Sequence, residues 1–267
     1  MKLINWNISI KIDNSKEVAK FLSEQNADLV NLQEVIRHFE ASVFKQYQSK
    51  QIIDPLVKGK YLDNFFAPAF CSKCFYESDE ITPHRDFGGL MEQGLDFYSK
   101  YKILSADNLF YFKTYNYSKS PDQWKAYDQA RSLGKYIVEV NGKKLQIINI
   151  HGIWNTNNEG NQKTLAQSEF IINIVNKSNL PTIISGDFNL HPDTESISIL
   201  NKNFRNLIAE YSIKRTRPDF KDTIDSGNNV VDYVFVNDQV KVNDFKVIET
   251  EISDHFPLLL NFEILTI

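Results

Sequence analysis

The stretch Pro181–Thr194 reads PTIISGDFNLHPDT. Thr182, Ile183 and Ile184 favour a strand, because β-branched side chains fit a pleated surface. Gly186 lets the backbone turn or come close to a neighbour. Beyond it, Asp187 and Asn189 flank Phe188. In extended chain, residues i and i+2 point the same way, so the two polar side chains are expected to share one face while Phe188 turns into the core. Such a face presents hard oxygen ligands and an amide beside a cation. A second reading is a strand end followed by an Asx turn, with His191-Pro192-Asp193 as loop punctuation. The segment alone leaves both readings open.

Residues 3–9 alternate Ile4, Trp6 and Ile8 against Asn5, Asn7 and Ser9, the period of a strand. Asn14 and Glu17 have the spacing of a capping box, with Val18, Phe21 and Leu22 following at helical spacing. A second strand is expected over 29–35, ending near Glu34, and a helix near 40–50. GLDFYSKYKI (94–103) reads as a hairpin, and so does the KYIVEV-NG-KKLQIINIHG segment, where Asn141-Gly142 supplies the positive φ angles of a tight primed turn. A helix over 163–177 puts Leu165, Phe170, Ile171 and Ile174 on its buried side, and a short one follows near 193–201. VVDYVFV (230–236), VKVNDFKVI and PLLLNFEI (257–264) complete the strands. Hairpins mixed with strand–helix–strand units imply mixed sheets covered by helices. With no repeat or Gly/Ser linker, residues 1–267 read as one domain.

Composition narrows the function. Of 267 residues 42% are hydrophobic, enough for a sizeable core, but no run of about 18 apolar residues can span a bilayer. Asn5, Asn7 and Ser9 interrupt any signal-peptide core, so the chain is expected to start at Met1 and to act in the cytoplasm as a monomer. Two cysteines, Cys71 and Cys74, are too few for a disulfide framework. A net charge of −4 excludes the basic footprint of a dedicated nucleic-acid-binding module. A metal-dependent enzyme escapes that test, because its cation screens its own carboxylates.

Hydrophilic residues gather where strands end: Asn7, Glu34, His151, Asp187 with Asn189, and Asp254 with His255. Asp232 lies within VVDYVFV, where an unpaired charge is costly, and His255 is its expected partner. Singly, each has a plain explanation as a turn residue, a solvated charge or a core histidine. Together, at the edges of the best strands, they describe a rigid site.

The segments NWNIS, LVNLQEV, IINIHG, SGDFNLHPDT, VVDYVFV and SDHFPLLL, in this order from Asn5 to Phe262, resemble the endonuclease/exonuclease/phosphatase superfamily. Deoxyribonucleases, abasic-site endonucleases, sphingomyelinases and inositol polyphosphate phosphatases belong to it. The resemblance implies an α/β fold, a four-layer α/β sandwich of two mixed β-sheets packed face to face with helices outside. It also implies Mg²⁺, with Mn²⁺ as a substitute, held by Glu34, with Asn7 beside it and Asp254 close by. By the same resemblance Asp187 and Asn189 position the attacking water and grip the phosphate. His255 with Asp232 forms a dyad, its imidazole either base to the water or a cationic clamp on phosphoryl oxygens. His151 stands where a histidine assists the leaving group, which argues against the abasic-site branch. The implied activity is phosphodiester hydrolysis, with nucleic acid as the first substrate class. A lipid headgroup, sugar phosphate or nucleotide conjugate is the alternative. A non-catalytic binding relative fits less well, since every expected position is filled.

Several residues fall outside that pattern. Asp96, in GLDFYSKY, stands where the family usually has an apolar residue. Cys71-x-x-Cys74 with His84 is one ligand short of a structural zinc site unless an acid such as Asp79 joins, and otherwise is a pair of thiols. Arg85, Arg131, Arg215 and Arg217 are candidates for phosphate contact or else surface residues in weak pairs, and Arg131 and Arg217, each just upstream of a core strand, come first. The aromatic segment Phe65–Tyr76 is either a rim of the cleft or a cover for a sheet edge.

Overall fold

Alternation along the first strand has a different consequence from that of a half-solvated sheet. In the computed structural model, which describes residues 1–10, 12–39, 47–76, 85–115, 124–125, 129–155, 157–218 and 229–265, strand β1 (Lys2–Asn7) is covered on both sides. Ile4, Trp6 and Ile8 pack with Val18, Phe21 and Leu22 of helix α1 (Ser15–Gln25) and with Ile53 and Val57 of α2 (Ser49–Val57). Leu3 packs in the core that includes the second sheet, and Asn5 and Asn7, on the same face, are also buried.

Strand β1 sits in a seven-stranded sheet with β2 (Leu29–His38), β3 (Asp63–Tyr76), β4 (Arg85–Ser99), β6 (Trp124–Lys125), β12 (Val240–Val247) and β13 (Leu258–Ile264), in the order β12-β13-β1-β2-β4-β3-β6. Six further strands form the second sheet: β5 (Lys102–Phe112), β7 (Arg131–Val140), β8 (Lys143–His151), β9 (Thr182–Asp187), β10 (Arg205–Asn206) and β11 (Asp232–Val236), in the order β10-β11-β9-β8-β7-β5. Both are mixed, with β1 parallel to β2 and β8 parallel to β9 among antiparallel pairs. Phe97 of the first sheet stacks on Tyr136 of the second, ring centroids 4.2 Å apart. On the outer side of the second sheet, α3 (Gln162–Asn176) and α4 (Glu195–Asn201) contribute Ile171, Ile174, Ile197 and Leu200 to the core. A short helix, α5 (Leu207–Glu210), follows β10. This is the four-layer α/β sandwich with helices outside. The Asn141-Gly142 turn has φ values of 51° and 77°, as the primed hairpin between β7 and β8 requires.

Four local expectations are corrected. The 94–103 segment is no hairpin: β4 pairs with β2 and β3, β5 pairs with β7, and the chain crosses between sheets after Ser99. Asn14 makes no capping bond; its amide donates to the carbonyls of Ile8 and Ile252, both at 2.7 Å, and so joins two loops. The capping box belongs to α3, between Asn161 and Thr164. The helix expected near 40–50 is α2, beginning at Ser49, and 40–46 lie outside the described residues. Phe65–Tyr76 is part of β3, hydrogen-bonded to β4. Cys71 and Cys74 are buried in it, the Cys71 thiol pushed up to about 11 by burial and by Glu92. His84 and Asp79 lie outside the described residues.

The unusual Asp96 has a local explanation. It is fully buried, and Lys50 of α2 donates to it at 2.8 Å while also meeting Asp54 at 3.0 Å. Burial raises the Asp96 carboxyl to about 6 against the downward pull of Lys50. A carboxyl raised above its unfolded value, about 3.9, contributes stability that is fully present below that value and lost as pH rises through 6. Lys50→Met is therefore expected to cost about 3–5 kcal/mol at pH 8, where a buried charge loses its partner, and less at pH 5, where Asp96 takes up a proton. Urea unfolding at the two pH values checks this, and equal costs at both would contradict it.

Candidate functional site

Parallel pairing of β8 with β9 and antiparallel pairing of β9 with β11 place three strand ends side by side. His151 is in register with Asp187, and Asp187 with Asp232. Arg131, the first residue of β7, lies at the same end. From the facing sheet come Asn7, the last residue of β1, and Glu34 of β2. The loop before β13 brings Asp254 and His255 to this end, because β13 runs antiparallel to β1. Gly186 is required here: a Cβ would lie 2.0 Å from the Ile150 carbonyl oxygen. At Gly152 a Cβ would lie 2.2 Å from that of Phe188.

Contacts join these residues. Asn7 Nδ2 donates to Asp187 Oδ2 at 3.0 Å and to Glu34 Oε1 at 3.2 Å, so one amide links a carboxylate from each sheet. Glu34 Oε2 accepts from the Ile10 backbone N–H at 2.7 Å. His151 Nε2 faces both carboxylates, 3.8 Å from Glu34 Oε1 and 3.7 Å from Asp187 Oδ2. His255 Nδ1 meets both oxygens of Asp232, at 3.0 and 2.9 Å, and its Nε2 lies 3.8 Å from Asp187 Oδ2. Asp232 is thus the partner of His255, and it begins β11 rather than sitting within it.

The turn after Asp187 differs from the extended geometry expected. The strand stops at Asp187, Asn189 has a φ of 55°, and its N–H donates to Asp187 Oδ1 at 2.9 Å. Phe188 is fully buried and the turn is Asx-like, yet Asp187 still reaches the cluster.

Electrostatics separate the two histidines. Burial pushes both imidazoles down. For His151 the neighbouring Arg131 charge adds to burial, and the ring falls to about 3. For His255 the charges of Asp232 and Asp187 and the Asp232 hydrogen bond outweigh burial, and the ring rises to about 10. Burial raises the Asp187 carboxyl against the pull of His255. Arg131 is buried beside Tyr111, whose hydroxyl donates to the His151 carbonyl at 2.8 Å, and its charge acts on Glu34 and Asp187.

The donor set fits a hard divalent cation. Among the described residues, Glu34, Asp187, Asp232 and Asp254 bring four carboxyl groups to this end, beside Arg131 and imidazolium His255. Among the described residues, Asp187, Asp232 and His255 bring ligand atoms within 4.8 Å of one another. That trio differs from the expected Asn7, Glu34 and Asp254. Nδ1 of His255 is engaged with Asp232 and its ring is raised to about 10, both of which oppose ligation by His255. Asn7 turns its Nδ2 to the carboxylates and its Oδ1 to the Ser9 N–H, and half-buried Asp254 meets Ser253 Oγ at 3.4 Å.

Of the remaining arginines, Arg217 is half-buried next to Thr216, and Arg215 pairs with Glu249 at the surface. Sequence reasoning missed Thr216, whose Oγ1 accepts from the N–H groups of Val231 and Asp232 and whose carbonyl accepts from Phe256 N–H. It also missed Trp6 and Ser253: the indole donates to the His255 carbonyl at 2.9 Å and the hydroxyl to the Asn7 carbonyl at 2.8 Å. A separate cleft of about 430 Å³, lined by Asp54, Tyr61 and Tyr98 among others, includes none of these site residues.

The model of the Endonuclease/Exonuclease/phosphatase family matches residues 4–255, nearly the whole chain. The chain belongs to this family. Members of the Endonuclease/Exonuclease/phosphatase family are in general phosphoesterase hydrolases. Among solved structures, the chain is similar to an endonuclease/exonuclease/phosphatase from Beutenbergia cavernae, at 14% identity and a TM-score of 0.74, over 99% of this chain and 72% of that one. It is similar to another from Bacteroides vulgatus, at 17% identity and a TM-score of 0.69, over 98% of each chain. A mannosyl-6-phosphatase from Bacteroides thetaiotaomicron aligns at 13% identity with a TM-score of 0.63, over 98% of this chain and 99% of that one. At such identities the likeness is one of fold. Comparison with curated proteins found no match. Among the described residues no helix is long and apolar enough to cross a membrane.

Proposed function

We propose that this chain is a divalent-cation-dependent phosphodiesterase, using Mg²⁺ with Mn²⁺ as a substitute, and that nucleic acid is its substrate. The observation that carries the reading is the linkage of Glu34, Asn7, Asp187 and His151 beside the Asp232–His255 pair at one end of both sheets. Glu34, with Asn7 and Asp254 near it, would hold the cation, which when bound supplies charge neutralisation for the phosphoryl oxygens. Asp187 accepts a hydrogen bond from the attacking water, and Asn189 holds the phosphate. His255, kept charged by Asp232, acts as the cationic clamp on the phosphoryl oxygens. His151, kept neutral, hydrogen-bonds on the leaving-group side. Arg131 is the nearer candidate for phosphate contact, and Arg217 the more distant.

A second reading, a phosphatase for a sugar phosphate or another small phosphoester, is favoured by the mannosyl-6-phosphatase of similar fold and by the net charge of −4. On either reading the chain works as a single domain and a monomer in the cytoplasm. Turnover of duplex DNA, single-stranded DNA, RNA, inositol phosphates, a sugar phosphate and an aryl phosphodiester, each with Mg²⁺ and with EDTA, tests the choice. The expected result is EDTA-sensitive cleavage fastest on a nucleic acid. Fastest turnover of the sugar phosphate would replace the first reading with the second, and no turnover of any would overturn both.

A further inference from the structure

Glu34 reaches the site from an irregular backbone. Between Leu32 and Val35 the register of β2 against β4 shifts, so that Gln33 and Glu34 together face Leu95. The φ of Glu34 is 59°, a left-handed value that a glutamate keeps only where its surroundings hold it there. A bulge re-aims a side chain at the cost of a locally disrupted ladder. Here the reinforcement comes from the other sheet. Asn149 of β8, fully buried, donates through Nδ2 to the carbonyls of Leu32 and Asp96, at 3.1 and 3.2 Å. Those two residues are register partners at the last regular position before the shift. Asn149 Oδ1 accepts from Gln33 Nε2 at 2.6 Å, and the same nitrogen donates to Asn5 Oδ1 at 2.9 Å. Both donors and the acceptor of one amide are thus committed to the two strands around Glu34.

We propose that Asn149 is a positioning residue: it spans the two sheets, fixes the β2 bulge, and thereby sets where the Glu34 carboxylate stands relative to Asp187. This rests on the reading of Glu34 as the cation ligand. Asn31 supplies an internal control. It too is fully buried between the sheets, donating to Ser185 Oγ at 2.8 Å and towards the Ile148 carbonyl at 3.5 Å, but it has no bond to the bulge carbonyls.

The test is Mn²⁺ affinity without substrate, read from the free-ion EPR signal, together with Tm, for the wild type, Asn149→Ala, Asn149→Ser, Asn31→Ala and Glu34→Gln. Asn149→Ala is expected to raise the Mn²⁺ Kd by about 10- to 100-fold, the usual effect of losing a partner that orients a ligand. Asn149→Ser, which keeps a small donor, is expected to raise it less and carries the test if the alanine variant does not fold. Asn31→Ala is expected to lower Tm while leaving Kd within about threefold of wild type, since its amide bonds elsewhere. Wild-type Kd in the folded Asn149 variants, or an equal rise in Asn31→Ala, would overturn the proposal and leave the cation reading intact. Wild-type protein binding Mn²⁺ no better than Glu34→Gln would overturn the cation reading, and this inference with it.

Discussion

Replacing His255 with alanine is expected to lower kcat by about 10²- to 10³-fold, the loss of one positioned group that stabilises charge in the transition state. The imidazole is buried, bonded through Nδ1 to both oxygens of Asp232 and held charged at neutral pH, with Nε2 directed to the cluster. Asp232 is almost fully buried, and both of its carboxylate oxygens are engaged with His255 Nδ1. The two residues therefore act as a unit. Asp232→Ala is expected to cost nearly as much activity as His255→Ala, and the double variant little more than either, as coupled groups do. Asp232→Asn is expected to destabilise less than Asp232→Ala, because the amide still bonds the ring. Steady-state kcat for the four variants, with urea unfolding alongside, checks this. Additive losses of log kcat would show that the residues work separately.

The second large effect concerns the Asp187–Asn189 turn. Asp187→Asn removes the charge that Asn7, His151 and His255 all face, and is expected to lower kcat by about 10²- to 10³-fold with little change in KM, because its contacts strengthen in the transition state. Asn189 calls for a glycine substitution. Its φ of 55° strains an alanine, whereas glycine keeps the backbone bond to Asp187 Oδ1 and removes only the side chain. Asn189→Gly is expected to lower kcat more than it raises KM. Normal kcat in both variants would reduce the segment to a strand end with an Asx turn.

The fold was legible because its strands carry strong patterns: Ile4-Trp6-Ile8, the Asn141-Gly142 hairpin, and the apolar runs before Asp187 and in β11. Position at strand ends made the site residues visible, since a carboxylate or histidine there breaks an otherwise apolar run. What escaped notice shares one cause. In a sandwich of four layers both faces of a strand are covered, so an alternating amide is not a solvent residue. Asn5, Asn31, Gln33 and Asn149 read as ordinary polar positions, yet they form a hydrogen-bonded layer between the sheets. Across that face three strands pass from apolar to amide or hydroxyl to candidate site residue: Leu3, Asn5 and Asn7 in β1, Ile147, Asn149 and His151 in β8, and Ile183, Ser185 and Asp187 in β9. The ambiguous Asp96 needed Lys50, 46 residues away, to make sense. The false hairpin at 94–103 failed for a similar reason. Local turn chemistry does not reveal that the chain leaves one sheet for the other. Asn14 was misassigned because its amide satisfies distant carbonyls rather than the helix behind it.

On the proposed function, a cation held at Glu34 makes this cluster a phosphoester hydrolase. Titration of Mg²⁺ against hydrolysis of an aryl phosphodiester, with the wild type and with Glu34→Gln, tests it most directly. The expected result is saturable, EDTA-abolished activity in the wild type, and in the variant a midpoint shifted upward by about tenfold or more with most of the rate lost. The same midpoint in both proteins, or full activity in EDTA, would contradict it.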